Sequence, residues 1–206
     1  MVSRLFLTVF AAAAALAAAS VAAQEPLQPA VPEAAAPVMD GDGGIDGIAE
    51  NERCHDQFFE GGSPALAVVH CTRALESGDL AEGDRVTALV NRGVARKLTG
   101  DLAAAVEDYT AALALAPEAG DIFATRANAY LEMSLLDLAI TDANKALAFR
   151  PDYAAAYYVR GRIFEALGQN TFARDDFLRA YDLAPGNADI EAKAWAFGAN
   201  QNQGRP

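Results

Sequence analysis

Three arginines, Arg92, Arg126 and Arg160, stand 34 residues apart, and each carries the same neighbours forward. With units begun at Val86, Gly120 and Ala154, five places are identical in all three. They are the arginines, Ala105/Ala139/Ala173, Asp108/Asp142/Asp176, Ala112/Ala146/Ala180 and Pro117/Pro151/Pro185. A unit of this length cannot bury its own apolar residues and must stack on its neighbours, so the chain is expected to be a solenoid. Within each unit the apolar residues fall at helical spacing in two blocks. In the first unit Leu89, Gly93 and Val94 lead to a break at Thr99-Gly100. Ala105, Tyr109, Ala112 and Leu113 then lead to Pro117, which cannot continue a helix. Each unit therefore reads as a helical hairpin. The small residues Gly93, Ala127 and Gly161, with the repeated Ala105, Ala139 and Ala173, mark where its two helices must touch. A larger side chain there would overpack the contact by roughly 1–3 kcal/mol.

The order of large residue, small residue, aromatic, Ala, aromatic, Ala and Pro resembles the tetratricopeptide repeat family. The third unit fits with Tyr157, Gly161, Phe164, Ala173, Phe177, Ala180 and Pro185. The first fits with Leu89, Gly93, Ala105, Tyr109, Ala112 and Pro117, but Arg96 replaces an aromatic. The second has Phe123, Ala127, Tyr130, Ala139, Ala146 and Pro151, with Ala143 in place of the second aromatic. These two departures predict looser local packing. The resemblance implies an all-α solenoid with units over 86–119, 120–153 and 154–187. A divergent hairpin is expected over 48–85, with Ala67 and Ala74 in the two Ala places and four extra residues before Val86. A terminal repeat leaves an apolar face, so residues 188–198 read as a capping helix anchored by Trp195 and Phe197, and 199–206 as a flexible tail.

The N-terminus has a different composition. Arg4 precedes the apolar run LFLTVFAAAAALAAA, and small residues at Val21 and Ala23 follow at the places a signal peptidase reads. The run is too short and too Ala-rich for a stable membrane anchor. Residues 1–23 are therefore expected to be a cleaved signal peptide, which places the mature chain in a periplasm. Residues 24–47 are rich in Pro, Ala and Gly without apolar period and read as a linker. Asp40, Asp42 and Asp46 suggest a calcium loop only superficially, because the required Gly and Glu are out of register.

The formal net charge of −12 argues against nucleic acid as a partner, since no basic stripe offsets it. No nucleophile–base pair or phosphate loop is visible, and neither enzyme activity nor a cofactor is expected. Each repeated Arg lies sixteen residues before the repeated Asp, so the pairs Arg92–Asp108, Arg126–Asp142 and Arg160–Asp176 read as structural clamps. The rival reading is an arginine row for an anionic ligand, which would not need a matching Asp row. Cys54, His55, His70 and Cys71 allow three readings: zinc ligands, buried thiols or a disulfide. Adjacent residues on a helix point about 100° apart, which suits a tetrahedral metal poorly. An oxidising compartment disfavours free thiols. A Cys54–Cys71 bridge is the expectation, with no metal, Cys54 in the Arg place and Cys71 one residue after the Asp place.

The family uses the wall made by its first helices to hold peptides or partner proteins, so the resemblance implies a binding scaffold. The exposed side of those helices would present Val90, Val94 and Lys97; Ala124, Asn128 and Leu131; Tyr158, Arg162 and Glu165, with Asn91 and Thr125 beside them. Some members clamp a peptide's terminal carboxylate with Lys, Arg and Asn at five places that here hold Val90, Val94, Thr125, Ala155 and Val159. None supplies the charge, so that mode is not expected. Self-assembly into homo-oligomers is the alternative function. The export reading is checked by mass spectrometry of protein recovered from an envelope fraction. The expected N-terminus is Gln24, and an intact Met1 would overturn both cleavage and compartment.

Overall fold

The computed structural model describes residues 36–59 and 61–198. All of them belong to one compact unit, Val31–Pro206. The segments expected to be a signal peptide and a C-terminal tail lie outside the described residues, as does the first half of the expected linker, 24–35. Among the described residues the structure is all-α, with nine helices and an isolated antiparallel bridge between Met39 and Ile45. The helices are α1 (Gly47–Asp56), α2 (Pro64–Ser77), α3 (Glu82–Leu98), α4 (Leu102–Leu115), α5 (Gly120–Glu132), α6 (Leu136–Phe149), α7 (Ala154–Ala166), α8 (Asn170–Leu183) and α9 (Ala188–Ala196).

Each odd-numbered helix from α1 to α7 packs most extensively on the even-numbered helix that follows it. Successive hairpins touch through α2 and α3, α4 and α5, and α6 and α7, and α5 also meets α7. Local chemistry starts and stops the elements. Asp46 caps α1 by accepting from the Ala49 amide at 3.0 Å, and Asp101 caps α4 by accepting from the Ala104 amide at 3.1 Å. Pro64 opens α2 at a position where no amide donor is needed. No described helix is long and apolar enough to cross a membrane.

Close helix approach explains the small residues. Ala105, Ala112, Ala139, Ala146, Ala173 and Ala180 are all fully buried. Gly93 lies under the Tyr109 ring, where an added Cβ would sit 2.5 Å from Cε1, and Gly161 lies under Phe177, where it would sit 2.8 Å from Cδ1. The middle unit has Ala127 and Ala143 at these two places, both fully buried. The extra methyl on the first helix meets a smaller partner on the second, so the departure at Ala143 is matched rather than loose. The departure at Arg96 is also not loose packing, because its Nη1 donates to Asp108 Oδ2 at 2.8 Å and to the Ala104 carbonyl at 3.3 Å.

The last helix corrects one expectation. Trp195 is 46% exposed and does not anchor α9; Ile190 and Ala194 are buried instead. Phe197, just past the helix, packs its ring 5.0 Å from Phe177. Ile190, Ala194 and Phe197 recur at helical spacing, which turns Trp195 to the other face.

The turn between the two helices of each regular unit needs a left-handed residue. Gly100 and Gly168 supply it with φ of 89° and 72°, and Ser134 holds the same place at φ 60°. A side chain in that conformation costs roughly 1–2 kcal/mol. Ser134→Gly is expected to stabilise the fold by about 0.5–1 kcal/mol after the unfolded-state entropy of glycine is counted. Chemical denaturation checks this, and a loss of stability would show that the Ser134 side chain contributes something its backbone strain does not reveal.

Candidate functional site: the face of the first helices

The repeated charges organise this face from behind. Asp108, Asp142 and Asp176 are buried on α4, α6 and α8. Arg92 reaches Asp108 at 2.7 Å, Arg126 reaches Asp142 at 2.6 Å and Arg160 reaches Asp176 at 2.8 Å. In the second and third units the contact is bidentate, through Nε and Nη2. The remaining guanidinium nitrogen goes elsewhere. Nη1 of Arg126 donates to Thr110 Oγ1 at 2.9 Å, and Nη1 of Arg160 donates to Asn144 Oδ1 at 3.0 Å. Nη1 of Arg92 donates to Thr72 Oγ1 at 3.3 Å. Each acceptor belongs to the second helix of the preceding hairpin. Every repeated arginine therefore joins three helices, and these groups are occupied structurally rather than offered to an anion.

The electrostatics agree with that geometry. Hydrogen bonding to Asp176 pushes the Arg160 guanidinium up, against burial. For Arg126 burial opposes the charge, but the hydrogen bond and charge of Asp142, with Tyr130, outweigh it and the net shift is upward. Burial, assisted by the charges of Asp108 and Glu132, pushes the Tyr109 phenol up. Its hydroxyl is buried without a protein hydrogen-bond partner.

In the divergent hairpin, Cys54 of α1 and Cys71 of α2 are bridged, with Cα atoms 5.1 Å apart, and both are fully buried. A cross-link over a separation of 17 residues contributes roughly 3 kcal/mol in the chain-entropy model. His55 is exposed and meets the Phe59 ring edge-on at 4.9 Å, so it does not converge with His70. His70 instead contacts Glu50, Nδ1 to Oε2, at 2.6 Å, and both side chains are buried. Glu50 Oε1 also accepts from the Val38 amide at 2.7 Å, which ties the preceding segment to α1. With the four-residue insertion counted, His70 stands in the Asp column and Cys54 in the Arg column. The buried acid thus lies on the first helix in this unit rather than on the second. Sequence reasoning missed Glu50, although a carboxylate in the column of Ala88, Ile122 and Ala156 was the signal for it.

In front of these clamps, α3, α5 and α7 line two adjoining pockets. The first, about 360 Å³, is bounded by Val86, Thr87, Val90 and Asn91 of α3 and by Asp121, Ile122 and Thr125 of α5, with Tyr153. The second, about 210 Å³, joins Ala124, Thr125 and Asn128 of α5 to Ala155, Tyr158, Val159 and Arg162 of α7, again with Tyr153. Thr125 and Tyr153 border both, so the two form one channel. Of the residues expected here, Val90, Asn91, Ala124, Thr125, Asn128, Tyr158 and Arg162 line it. Ala124 is nearly buried and forms part of the floor rather than an exposed contact.

The other four expected residues lie outside those linings. Val94 packs on the core of the first two units, and Leu131 packs on the smaller cluster between the second and third. Lys97 donates to Glu132 Oε1 at 2.9 Å, and Lys193 of α9 covers Glu165 at 2.6 Å. Arg162 donates to Asn128 Oδ1 at 2.8 Å, and Asn128 donates to Glu132 at 3.1 Å. Lys97, Glu132, Asn128 and Arg162 thus form one polar chain across three helices, and neither cation is free as expected. Tyr153 was missed, because the corresponding places hold Arg85 and Ala119 and show no repeated signal. Among the described residues no group of three or more His, Cys, Asp or Glu side chains is arranged to hold a metal ion.

If the clamps hold the hairpins together, Arg126→Ala should cost roughly 3 kcal/mol by stranding the buried Asp142 charge. Asp142→Ala should cost less, because Arg126 is the more exposed partner, and the double variant should lose less than the sum of the singles. A denaturation double-mutant cycle checks this, and strict additivity would show that the two charges are not coupled.

Comparisons with known proteins place this architecture. The tetratricopeptide repeat model matches residues 86–118 and 154–187. Serine/threonine-protein phosphatase T of Trypanosoma brucei brucei is 36% identical over 89 residues, which cover 43% of this chain and 19% of that protein. The chain thus spans about a fifth of that relative's length. The second TPR domain of human RPAP3, solved in complex with the HSP70 peptide SGPTIEEVD, matches with a TM-score of 0.52 at 26% identity, covering 57% of this chain and 98% of that one. MamA from Desulfovibrio magneticus RS-1 shares the fold with a TM-score of 0.61 at 18% identity, covering 75% and 85%. The hairpins at 86–118 and 154–187 are thus similar to tetratricopeptide repeats, and the 34-residue period carries the same pattern through the unit between them.

Proposed function

We propose that the protein is an exported, non-enzymatic scaffold that holds an extended peptide, or a loop of a partner protein, in the channel along α3, α5 and α7. The observation that carries this reading is the continuity of the two pockets through Thr125 and Tyr153. A single extended segment lying across the first helices would meet apolar walls from Val86, Val90, Ile122 and Val159. It would also meet hydrogen-bonding groups from Asn91, Thr125 and Asn128. Asn91 Nδ2 is buried with no partner in the protein, so it leaves a donor beside the first pocket. Tyr158 offers a ring face to stack or pack, backed by Phe177 at 5.9 Å.

A peptide complex of a similar domain supports the mode of binding, because human RPAP3 was solved with a bound HSP70 peptide. The ligand type is expected to differ. Val90, Val94, Thr125, Ala155 and Val159 occupy the places of the carboxylate clamp, so an acidic C-terminal tail finds no cation there. Export rests on the N-terminal sequence pattern, and the buried Cys54–Cys71 bridge suits an oxidising compartment such as a periplasm.

The test is affinity capture from the native envelope fraction with wild type and with Tyr158→Ala combined with Asn128→Ala. The double variant should lose the captured partner at a temperature where it remains folded, although its thermal midpoint should fall because Asn128 holds Arg162 and Tyr158 packs on Phe177. Unaltered capture by the folded variant would place the working surface elsewhere.

A further inference from the structure

The channel does not stop at α3. A third pocket, about 350 Å³, lies between α1 and α3 and is lined by Asn51, Glu52, His55, Asp56 and Thr87. Thr87 also borders the first pocket of the channel, so this pocket adjoins it at the α1 side. We propose that this end of the channel is a subsite for a cationic side chain, and that the partner segment carries a Lys or Arg where it meets α1. The proposal rests on the channel reading and adds the chemistry of the segment.

Several independent features point the same way. Glu52 and Asp56 are both exposed and lie one turn apart on α1, where like charges repel. Asp56 is also the last residue of the helix, the end at which the backbone dipole disfavours an anion. Neither carboxylate forms an ion pair among the described residues. Asn51, between them and the core, has a buried Oδ1 with no hydrogen-bond partner. The pocket wall thus presents two carboxylates, with the unmet Asn51 carbonyl buried behind it, and an ammonium or guanidinium is made only of donors.

The cations along these helices are already engaged. Arg53 of α1 donates to the Ala36 carbonyl and lies 4.0 Å from Glu50. Lys97 holds Glu132, and Arg162 at the far end of the channel holds Asn128. The α1–α3 pocket itself is lined by His55 but by no Lys or Arg.

The test measures binding of fluorescein-labelled pentalysine and pentaglutamate to the folded protein by fluorescence anisotropy, at low and at physiological ionic strength. Pentalysine should bind and pentaglutamate should not. Glu52→Gln with Asp56→Asn should weaken pentalysine by at least about fivefold, a size expected for two partly exposed ion pairs. A control, Glu107→Gln with Glu118→Gln, removes the same charge from exposed positions outside the channel and should leave the affinity nearly unchanged. Equal weakening in the two double variants would overturn the proposal, since it would reduce the interaction to diffuse attraction by the chain's net negative charge. Equal binding of the two peptides would overturn it as well. Failure of the channel reading is separable. If Tyr158→Ala with Asn128→Ala keeps partner capture while Glu52→Gln with Asp56→Asn loses pentalysine, the channel reading falls and the cation subsite stands.

Discussion

The structure depends on one side chain used three times. A helical hairpin needs a reason to stay closed and a reason to stay on its neighbour, and Ala-rich helices supply little area for either. A guanidinium has donors enough for both tasks. Two nitrogens of Arg126 and of Arg160 satisfy the buried Asp of the same hairpin, and the third reaches a hydroxyl or amide on the hairpin before. The Asp would be costly to bury alone, and the Arg makes it tolerable while fixing the register of one unit on the next. Small residues at the helix contacts let the backbones come close enough for these bonds to form.

The first hairpin obeys the same plan with different chemistry. Where the other units hold an ion pair, it has a covalent bridge in the Arg column, and its buried carboxylate is on the first helix, with Glu50 of α1 hydrogen-bonded to His70 of α2. The spacing explains the rest. Thr110 and Asn144 precede their arginines by sixteen residues, while Thr72 precedes Arg92 by twenty, and the four extra residues lengthen the start of α3, which has 17 residues against 13 in α5 and in α7.

Much of this was legible in the sequence because it is periodic. The hairpins, the Arg–Asp columns and the small residues all repeat, and repetition exposes a shared physical role without any structure. The unread parts are those that occur once. Glu50 looks like a surface carboxylate until α1 is seen to bury it against His70. Trp195 was expected to anchor the last helix because it is large, but the face a helix buries is set by angle and not by size. Seven of the expected channel residues line the pockets, whereas Lys97 and Glu165, read as exposed groups, are held by charges from other helices. A linear pattern can assign a residue to a face, but it does not reveal which neighbour from another unit has already claimed it. Tyr153 shows the converse, since it borders both pockets from a connection rather than from a helix face.

The end of the arginine series has a consequence for motion. The place of Thr110 and Asn144 in the third unit is Leu178, and the place where a fourth arginine would stand is Ala194. The series does not continue at this place, and beside the packing of Ile190, Ala194 and Phe197 the charged contact of α9 is Lys193–Glu165, whose side chains are about a third exposed. In a stacked chain, opening begins where the nearest-neighbour coupling is weakest. Here one end is cross-linked and the other is held by a small apolar contact and a solvent-screened charge pair, so thermal opening has a direction, entering at α9 and stopping last at α1. A channel built on such a gradient has a stiff end and a compliant end. A long ligand would find its reference point at α1 and its room for adjustment at α7.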